Sequence, residues 1–504
     1  MRLLAMVAML LPATGIAMPA QAKSCTSETF AGIADVSSLR VERVGAGQAW
    51  TDDMGEQRPA VGTTFCRVRG MVATGIGIEV WLPLAESWNG KFLAGGVGGE
   101  AGTYNYADMA RGLGHGYASA STDAGHRQDD EHWALDPVKG AAFASEGNHQ
   151  LAVKAKEVIA AFYGHGPRRS YFIGCSGGGR EGLKEAQQFP DDFDGIIAAG
   201  AGPDQLAVSA RLLWSQYIVQ PEIEAIMSGN DWALISRGAV AACDAQDGVV
   251  DGVISAPRSC RFRPRDLLCE ADGPSPCLSE AQVQAAERIY APLQDEQGRF
   301  IDQGLLPGVE VTMSPRSAFA FSLFGRLVHG NPNWDPRGFD FTRDMAAARR
   351  LWPDLPNDST DLSGFRARGG RLIYYHSWAD PWILAQLPID WFEKVSRETP
   401  DADSFMRLFM VAGMGHCSGG AGANLFGGAG GKDAPQVDAE HDMLAALDRW
   451  VETGVAPDWM IASRVEKNKI AFTRLLCPYP RQAKLRPGAS GRVAADYICT
   501  KEAP

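Results

Sequence analysis

The residue with the clearest chemical potential is a serine in a glycine-rich turn. Ser176 lies within Gly174-Cys175-Ser176-Gly177-Gly178, a G-x-S-x-G pattern with a strand-like segment before it and a helix-like segment after it. In a strained turn of this kind the serine hydroxyl stands at the helix N-terminus, where developing negative charge is stabilised. The pattern predicts a nucleophile at Ser176; the alternative is a glycine-rich turn without a catalytic role.

A serine nucleophile requires a base and an acid that orients the base. Asp380 follows one strand-like segment and His416 lies in the loop after another, which gives the order serine, aspartate, histidine found in α/β-hydrolases. Five of the nine histidines precede the serine, and His329, His376 and His441 lie in an irregular segment, within a strand and at the start of a helix. These positions favour Asp380 as the acid and His416 as the base.

Ester or amide chemistry at a serine also requires two N–H donors for the oxyanion of the tetrahedral intermediate. One is expected from the residue after the nucleophile, Gly177. A second glycine-rich loop, from Ala94 to Gly102, follows an earlier strand-like segment and is expected to supply the other donor.

Strand-like and helix-like segments alternate around these residues, as is typical of a mainly parallel sheet with helices on both faces. Between 203 and 364 this alternation is lost. We therefore predict an α/β fold in which an α/β-hydrolase core, 23–202 and 365–504, is interrupted by an inserted lid domain, 203–364. Strands are predicted at 75–84, 90–96, 116–123, 169–174, 193–202, 371–380 and 405–416, and helices at 149–164, 181–189 and 441–454.

The predicted lid is rich in aromatic residues. Most are expected to form its core, and some to line a cleft that faces Ser176 and stacks on a flat substrate ring. Four arginines can pair with a substrate carboxylate or phenolate, although surface exposure is the usual role of each. The aromatic residues are Trp214, Trp232, Phe319, Phe321, Phe324, Trp334, Phe339 and Phe341, and the arginines are Arg316, Arg326, Arg337 and Arg343.

A turn in the lid carries Asp244, Asp247 and Asp251, spaced so that one tight loop can direct three carboxylates inward. A hard cation would satisfy these carboxylates together with backbone carbonyls. The segment lacks the spacing of an EF-hand, and an exposed acidic turn without an ion is the alternative.

The N-terminal residues are typical of a secretory signal peptide. Arg2 precedes an apolar run from Leu3 to Ala17, and Ala20-Gln21-Ala22 forms a small-x-small cleavage site. We therefore expect a signal peptide over 1–22 and a mature protein that is periplasmic or secreted.

The ten cysteines agree with export. Their even number predicts five disulfides, and the lack of any CxxC pair argues against a zinc site. Proximity favours three local pairs without establishing them. The local pairs are Cys243 with Cys260, Cys269 with Cys277 and Cys477 with Cys499, and the other cysteines are Cys25, Cys66, Cys175 and Cys417.

The overall composition is that of a globular protein, with 504 residues, 45% hydrophobic and 21% charged. A net charge of −12 without a basic block argues against a nucleic-acid or anionic-membrane partner. No apolar run after the signal peptide reaches the roughly 18 residues of a membrane span. No feature of the sequence indicates an oligomeric state.

Three motifs make the chain similar to a known family. "YFIGCSGGGREG", "SWADP" and "GMGHCSGG" resemble the tannase and feruloyl esterase family, and the resemblance extends over nearly all of the mature chain, lid included. It implies Ser176 as nucleophile, Asp380 as orienting acid and His416 as base. It also implies a disulfide between Cys175 and Cys417, which flank the serine and the histidine.

The resemblance also concerns the second glycine-rich loop and the aspartate turn. Alignment with the family favours Gly99 as the second oxyanion donor, with Gly98 as the neighbouring alternative. The family binds calcium at the aspartate turn, which implies a structural lid ion, and no organic cofactor is implied. The implied calcium ligands are Asp244, Asp247, Asp251 and the carbonyls of Val249 and Val253.

The sequence thus predicts a secreted serine carboxylic ester hydrolase that cleaves small esters of hydroxylated aromatic acids through an acyl-enzyme. The resemblance implies hydroxycinnamoyl or galloyl esters as substrates. Hydrolysis of a terephthalate monoester is the first alternative, and lid residues would decide it. A non-catalytic phenolic- or carbohydrate-binding protein on the same fold is the second, and the intact serine, aspartate and histidine argue against it.

Overall fold

The computed structural model of the protein describes residues 23–271, 273, 275–311 and 317–501. The predicted signal peptide, 1–22, and Arg316 lie outside these residues. Among the described helices, none has the length and apolar character needed to cross a bilayer.

The protein is organised around one nine-stranded sheet in the order β1-β4-β5-β7-β6-β8-β9-β12-β13. The strands from β7 to β13 in this order run parallel to their neighbours, and all seven strands predicted from the sequence belong to the sheet. The strands are β1 (Val36–Val44), β2 (Trp50–Thr51), β3 (Gln57–Arg58), β4 (Phe65–Val72), β5 (Gly77–Pro83), β6 (Lys91–Gly95), β7 (Ala118–Thr122), β8 (Arg169–Cys175), β9 (Gly195–Ala199), β10 (Leu293–Gln294), β11 (Phe300–Asp302), β12 (Arg371–Ser377), β13 (Met406–Val411), β14 (Met460–Glu466), β15 (Lys469–Leu476), β16 (Arg481–Leu485) and β17 (Tyr497–Lys501).

One edge of the sheet is antiparallel, which the sequence patterns do not predict. β1 pairs with β4, β4 with β5, and β5 with β7, all antiparallel. The tight turn between β4 and β5 closes with a hydrogen bond from the Val72 N–H to the Ile76 carbonyl, 2.8 Å. β1 is an edge strand with only one buried residue, Val44, and therefore lacks the continuous apolar run of a central strand.

Helices cover both faces of the sheet, as predicted for an α/β-hydrolase core. On one face Leu151 of α3, Leu183 of α4 and Ile389 of α12 are fully buried with the side chains of the central strands. On the other face Leu447 and Trp450 of α13 complete a second core. The helices are α1 (Tyr106–Gly114), α2 (Pro137–Ala141), α3 (Gly147–Tyr163), α4 (Gly177–Gln188), α5 (Gln205–Leu213), α6 (Gln220–Glu224), α7 (Gly229–Cys243), α8 (Glu280–Tyr290), α9 (Ala318–Phe321), α10 (Phe341–Leu351), α11 (Ser363–Ala367), α12 (Gln386–Glu398) and α13 (Met443–Thr453).

The inserted segment carries α5 to α10 and contributes to two further hydrophobic cores, which it shares with neighbouring residues of the central domain. Trp232 and Ile235 of α7 belong to one of them, and Phe319 and Phe324 to the other. Leu362, at the end of the segment, already packs into the core of the central sheet.

All ten cysteines form disulfides. The bond between Cys175 and Cys417 spans the inserted segment, with a sequence separation of 242 residues and Cα atoms 6.2 Å apart. The other pairs are Cys25–Cys66, Cys243–Cys260, Cys269–Cys277 and Cys477–Cys499.

Candidate active site

Ser176 occupies a strained turn between β8 and α4. Its backbone has φ 59° and ψ −119°, which an L-residue rarely adopts and which rigid surroundings must impose. Two glycines permit this turn, because a Cβ on Gly174 would lie 2.4 Å from the Gly178 carbonyl oxygen, and one on Gly178 would lie 2.7 Å from Gly96. The Ser176 N–H donates to the Ala199 carbonyl of β9 at 2.8 Å, which fixes the turn to the sheet.

Asp380 and His416 reach the same edge of the sheet from neighbouring loops. β12 and β13 are paired and parallel, so the loops that follow them emerge together. His416 Nδ1 lies 2.6 Å from Asp380 Oδ2, and Asp380 Oδ1 accepts the N–H groups of Trp382 and Ile383 at 2.9 and 3.0 Å. The Asp380 carboxylate is thus held by three donors, one of them the imidazole.

The electrostatics of this pair suit an acid that orients a base. Burial alone would raise the pKa of Asp380, but the charge and hydrogen bond of His416 lower that pKa below its usual value. An ionised Asp380 keeps the His416 proton on Nδ1, which leaves Nε2 free to accept a proton.

A second imidazole, His376, lies beside the same carboxylate. It is fully buried, its Nε2 is 2.9 Å from the Ile383 carbonyl, and it lies 3.6 Å from Asp380 Oδ2. Burial lowers the pKa of His376, so the ring is neutral and donates from Nε2. The hydrogen bond from His376 to the Ile383 carbonyl therefore helps to hold the Asp380 loop in place.

The Cys175–Cys417 disulfide joins the serine loop to the histidine loop. It fits closely against Gly200, where a Cβ would lie 2.5 Å from Cys417 Sγ. Both sulfur atoms lie within 4.8 Å of the His416 ring, but they are bonded to each other and are not available to a metal.

Two backbone segments offer N–H donors beside Ser176. Gly177 is the first residue of α4, so its N–H has no acceptor within the helix. The loop that follows β6 lies against it, and a Cβ on Gly177 would lie 3.2 Å from Gly99 N. Within the described residues, the N–H groups of Gly98 and Gly99 donate to no backbone carbonyl. Both glycines therefore keep a free donor.

Glu181 holds this loop in place, a role that the sequence patterns do not predict. From α4 its Oε2 accepts the Val97 N–H at 3.0 Å, so Val97 is not free to bind an oxyanion. Burial raises the pKa of Glu181 to about 7, against the opposing effect of Arg180 and the Val97 N–H. It lies five residues after Ser176, which is not the spacing of one helix face, so the sequence pattern carries no signal for it.

A cavity of about 880 Å³, here called the Ser176 cavity, opens in front of these groups. Ser176, Gly99, Gly177 and His416 all line it. Its apolar walls come from both the core, with Val97 and Trp133, and the inserted segment, with Leu212 and Phe319.

Of the eight lid aromatics named above, all within the described residues, Phe319 alone lines this cavity. The Ser176 cavity is also lined by His126 and Trp133, from the loop after β7. The rings of these two residues stack with their centroids 4.0 Å apart. Burial lowers the pKa of His126 to about 4, so its ring is neutral. Both residues follow the carboxyl end of the strand predicted at 116–123, and this position is the sequence signal that could have identified them.

Three of the four arginines that could pair with a substrate lie within the described residues, and each makes a contact with another side chain of the protein. Arg326 lies 2.6 Å from His132 Nδ1, whereas Arg337 and Arg343 pair with the neighbouring carboxylates of Asp335 and Asp344.

The aspartate turn is closed by its own carboxylates. Asp244 is buried and accepts the N–H groups of Asp251 and Gly252, while Asp247 accepts the Val249 N–H. Asp251 accepts the Val253 N–H and pairs with Arg474 of β15.

The oxygen donors of this turn are those that calcium prefers, and one of its three carboxylates, Asp251, pairs with the guanidinium of Arg474. Burial raises the pKa of Asp251, and Asp247 adds to the effect. Among the described residues, the three carboxylates do not converge within 4.8 Å. In this arrangement Asp251 is engaged by Arg474, and calcium binding stays a prediction.

Comparison with known proteins identifies the family. A family model described as tannase and feruloyl esterase matches residues 59–314 and 325–500. An uncharacterised esterase of Xanthomonas campestris is 34% identical over 485 residues, covering 86% of this chain and 84% of its own. A probable feruloyl esterase B-2 of Aspergillus flavus is 35% identical over 421 residues, covering 79% of this chain and 80% of its own.

A solved structure agrees with these relatives. The crystal structure of feruloyl esterase B from Aspergillus oryzae superposes with a TM-score of 0.84 at 28% identity, covering 94% of this chain and 99% of that one. The chain therefore belongs to the tannase and feruloyl esterase family.

Proposed function

We propose that this protein hydrolyses esters of hydroxylated aromatic acids, hydroxycinnamoyl or galloyl, through an acyl-enzyme on Ser176. It is a carboxylic ester hydrolase of the feruloyl esterase and tannase type. The observation that carries the proposal is the 2.6 Å contact between His416 Nδ1 and Asp380, at the wall of the cavity that Ser176 also lines. The same constellation argues against a protein that only binds its ligand.

The reaction proceeds in two halves. His416 Nε2 takes the Ser176 proton as Oγ bonds to the ester carbonyl carbon. The oxyanion that forms accepts hydrogen bonds from the N–H groups of Gly177 and Gly99. The carbon–oxygen bond to the alcohol then breaks, and His416 returns the proton to the leaving oxygen. Water, deprotonated by His416, next attacks the acyl carbon, releases the aromatic acid and restores the Ser176 hydroxyl.

The lining of the Ser176 cavity supports a phenolic acyl group. Trp133 and Phe319 stack on each other, with ring centroids 5.5 Å apart, and add apolar surface to its wall. Glu100 lines the same wall, and carboxyl oxygens accept hydrogen bonds from phenolic hydroxyls. Two carboxyl groups, Glu100 and Asp108, disfavour an acyl ring that carries a carboxylate of its own, as a terephthalate monoester does.

A hydrolysis panel tests this function. Methyl ferulate, chlorogenate, methyl gallate and a terephthalate monoester are offered to the wild type, to Ser176→Ala and to Ser404→Ala, an exposed serine that serves as a control. We expect the wild type and Ser404→Ala to cleave the phenolic esters and Ser176→Ala to be inactive. Preferred cleavage of the terephthalate monoester, or activity in Ser176→Ala, would contradict the proposal.

Two further properties belong to the same proposal. The aspartate turn binds one structural calcium ion, supported by its three carboxylates and the carbonyls of Val249 and Val253, all hard oxygen donors. The protein is exported, supported by the five disulfides, since such bonds persist in oxidising compartments.

A further inference from the structure

The loop that carries Gly99 is fixed to the central domain at its two ends. At its start the Val97 N–H donates to a carboxylate of α4, and at its end the Gly102 N–H donates to the Asp123 carbonyl, both at 3.0 Å. Gly98 and Gly99 lie between these anchors, are exposed and have no side chain that could hold them. The position of the Gly99 N–H therefore depends on what else holds the middle of the loop.

Glu100, the residue after Gly99, provides that contact. It is half-buried, and its Oε1 accepts the backbone N–H of Phe319 and the hydroxyl of Ser317, the latter at 3.2 Å. Both donors lie at the N-terminus of α9, in the inserted segment. Residues 98–101 are glycine, glycine, glutamate and alanine, so Glu100 is the one whose side chain can form a hydrogen bond. The middle of the loop is thus joined to the inserted segment.

Ser317 is itself held by the residues that follow α5. Its N–H donates to Gln216 Oε1 at 2.8 Å, and its carbonyl accepts the Tyr217 hydroxyl at 3.0 Å. Its own hydroxyl caps α9 by accepting a backbone N–H at 3.1 Å. A continuous chain of hydrogen bonds therefore runs from the inserted segment through Ser317 and Glu100 to the loop of Gly99.

The same loop also packs against the start of α4. A Cβ on Gly177 would lie 2.6 Å from the Gly99 carbonyl oxygen, so the two backbones are in close contact. The loop therefore contacts both α4, which carries the first oxyanion donor, and α9, to which Glu100 is hydrogen-bonded. Burial raises the pKa of Glu100, whereas its hydrogen bonds with Phe319 and Ser317 lower it.

We propose that Glu100 is a positioning residue, which fixes the Gly99 N–H for the oxyanion by joining its loop to α9. A displaced donor stabilises the oxyanion less, and the loss of one such donor costs about 10²- to 10³-fold in kcat. This inference rests on the proposed function and adds to it a role of the inserted segment in the chemical step. The alternative is that Glu100 only shapes the wall of the Ser176 cavity.

Two esters separate these roles. 4-Nitrophenyl ferulate has an aromatic acyl group that can reach the cavity wall, whereas 4-nitrophenyl acetate has no ring to place there. Both esters form an oxyanion during acylation and again during deacylation, so a displaced donor lowers kcat on both, whichever half is slower. A change in the wall alone affects only the ferulate ester.

Variants of Glu100 test the role of its acceptor oxygen. Glu100→Ala removes the acceptor, and we expect kcat to fall by about 10- to 100-fold on both esters, with a smaller change in KM. Glu100→Gln keeps an acceptor oxygen and should hold kcat on the acetate ester within about threefold of the wild type. Glu131→Ala, an exposed glutamate that does not line the Ser176 cavity, should match the wild type. Thermal melts establish that each variant is folded at the assay temperature.

The contact can also be removed from the side of α9. Phe319→Pro lacks the N–H that Glu100 accepts, and the first turn of a helix tolerates proline. Phe319→Ala lacks the ring as well but keeps the N–H. We expect kcat on the acetate ester to be about 10-fold lower in Phe319→Pro than in Phe319→Ala. This pair tests the proposal even where Glu100→Ala fails to fold.

The outcomes separate this inference from the proposed function. Wild-type kcat on the acetate ester in Glu100→Ala, or equal values in the two Phe319 variants, would overturn the inference and leave the proposed function standing. A loss confined to the ferulate ester would assign Glu100 to the cavity wall alone, and a loss that Glu100→Gln shares in full would exclude its acceptor oxygen as the cause. A wild type that cleaves neither ester overturns the proposed function, and this inference with it.

Discussion

Removing the Cys175–Cys417 disulfide should damage both stability and catalysis. The bond ties the residue before Ser176 to the residue after His416, so its loss frees the two loops from each other. The perturbation is the double variant Cys175→Ala/Cys417→Ala, which leaves no unpaired thiol.

The expected magnitude follows from the length of chain that the bond closes. With a sequence separation of 242 residues, loop-closure entropy amounts to about 5.5 kcal/mol at room temperature. The Cys477–Cys499 bond, with a separation of 22, gives about 3 kcal/mol by the same relation. Cys477→Ala/Cys499→Ala is therefore a matched control that loses less stability.

Both double variants are compared with the wild type by urea unfolding and by kcat/KM on methyl ferulate. We expect the Cys175/Cys417 variant to have the larger loss of unfolding free energy. A small displacement of His416 from Ser176 costs catalysis heavily, so its kcat should also fall by about 100-fold in protein that is still folded. The control should retain its kcat.

Two results would refute this reasoning. One is a Cys175/Cys417 variant with wild-type kcat, which would mean that the loops are positioned without the bond. The other is a larger stability loss in the control, which would mean that loop length does not set the effect.

Three other predictions concern single groups. Asp380→Asn donates to His416 Nδ1 instead of accepting from it, so kcat should fall by about 10⁴-fold with the fold intact; a fall below 10-fold in steady-state assays would exclude its orienting role. Because burial raises the pKa of Glu181 from 4.5 to about 7, the native state binds more protons than the unfolded chain in that window, and stability falls as pH rises through it. Glu181→Gln should flatten this fall in thermal melts and keep activity, whereas Glu181→Ala, without an acceptor for Val97, should lose activity; an unchanged pH slope in Glu181→Gln would contradict the assignment. Chelation should lower Tm and added calcium should restore it, and a protein whose Tm is unchanged and whose elemental analysis shows no calcium would exclude the ion.

The parts of the site that lie close together in sequence could be predicted from it. β8, the turn at Ser176 and α4 form one continuous strand–turn–helix unit, and local pattern suffices to identify such a unit. Asp380 and His416 were identifiable because each follows a predicted strand, and parallel neighbouring strands bring their carboxyl ends together. The family was likewise recognisable from these motifs, and the comparisons confirm it.

The walls of the cavities could not be predicted, because they depend on long-range packing. Phe319 reaches the Ser176 cavity only because α9 packs against the loop after β6, where Glu100 accepts the Phe319 N–H. A second cavity, lined by Trp378 and His416, lies between the inserted segment and the Asp380 loop. β1 could not be predicted for a different reason, since this exposed edge strand lacks a continuous apolar run.

The central claim is that Ser176 carries the acyl group, and trapping that intermediate tests it most directly. The enzyme is mixed briefly with 4-nitrophenyl ferulate, whose good leaving group favours accumulation of the acyl-enzyme, and is then quenched, digested and analysed by mass spectrometry. We predict a feruloyl group on the peptide that contains Ser176, which disappears as ferulate is released and never forms in Ser176→Ala. Turnover without this adduct, or an adduct on another residue, would contradict the account.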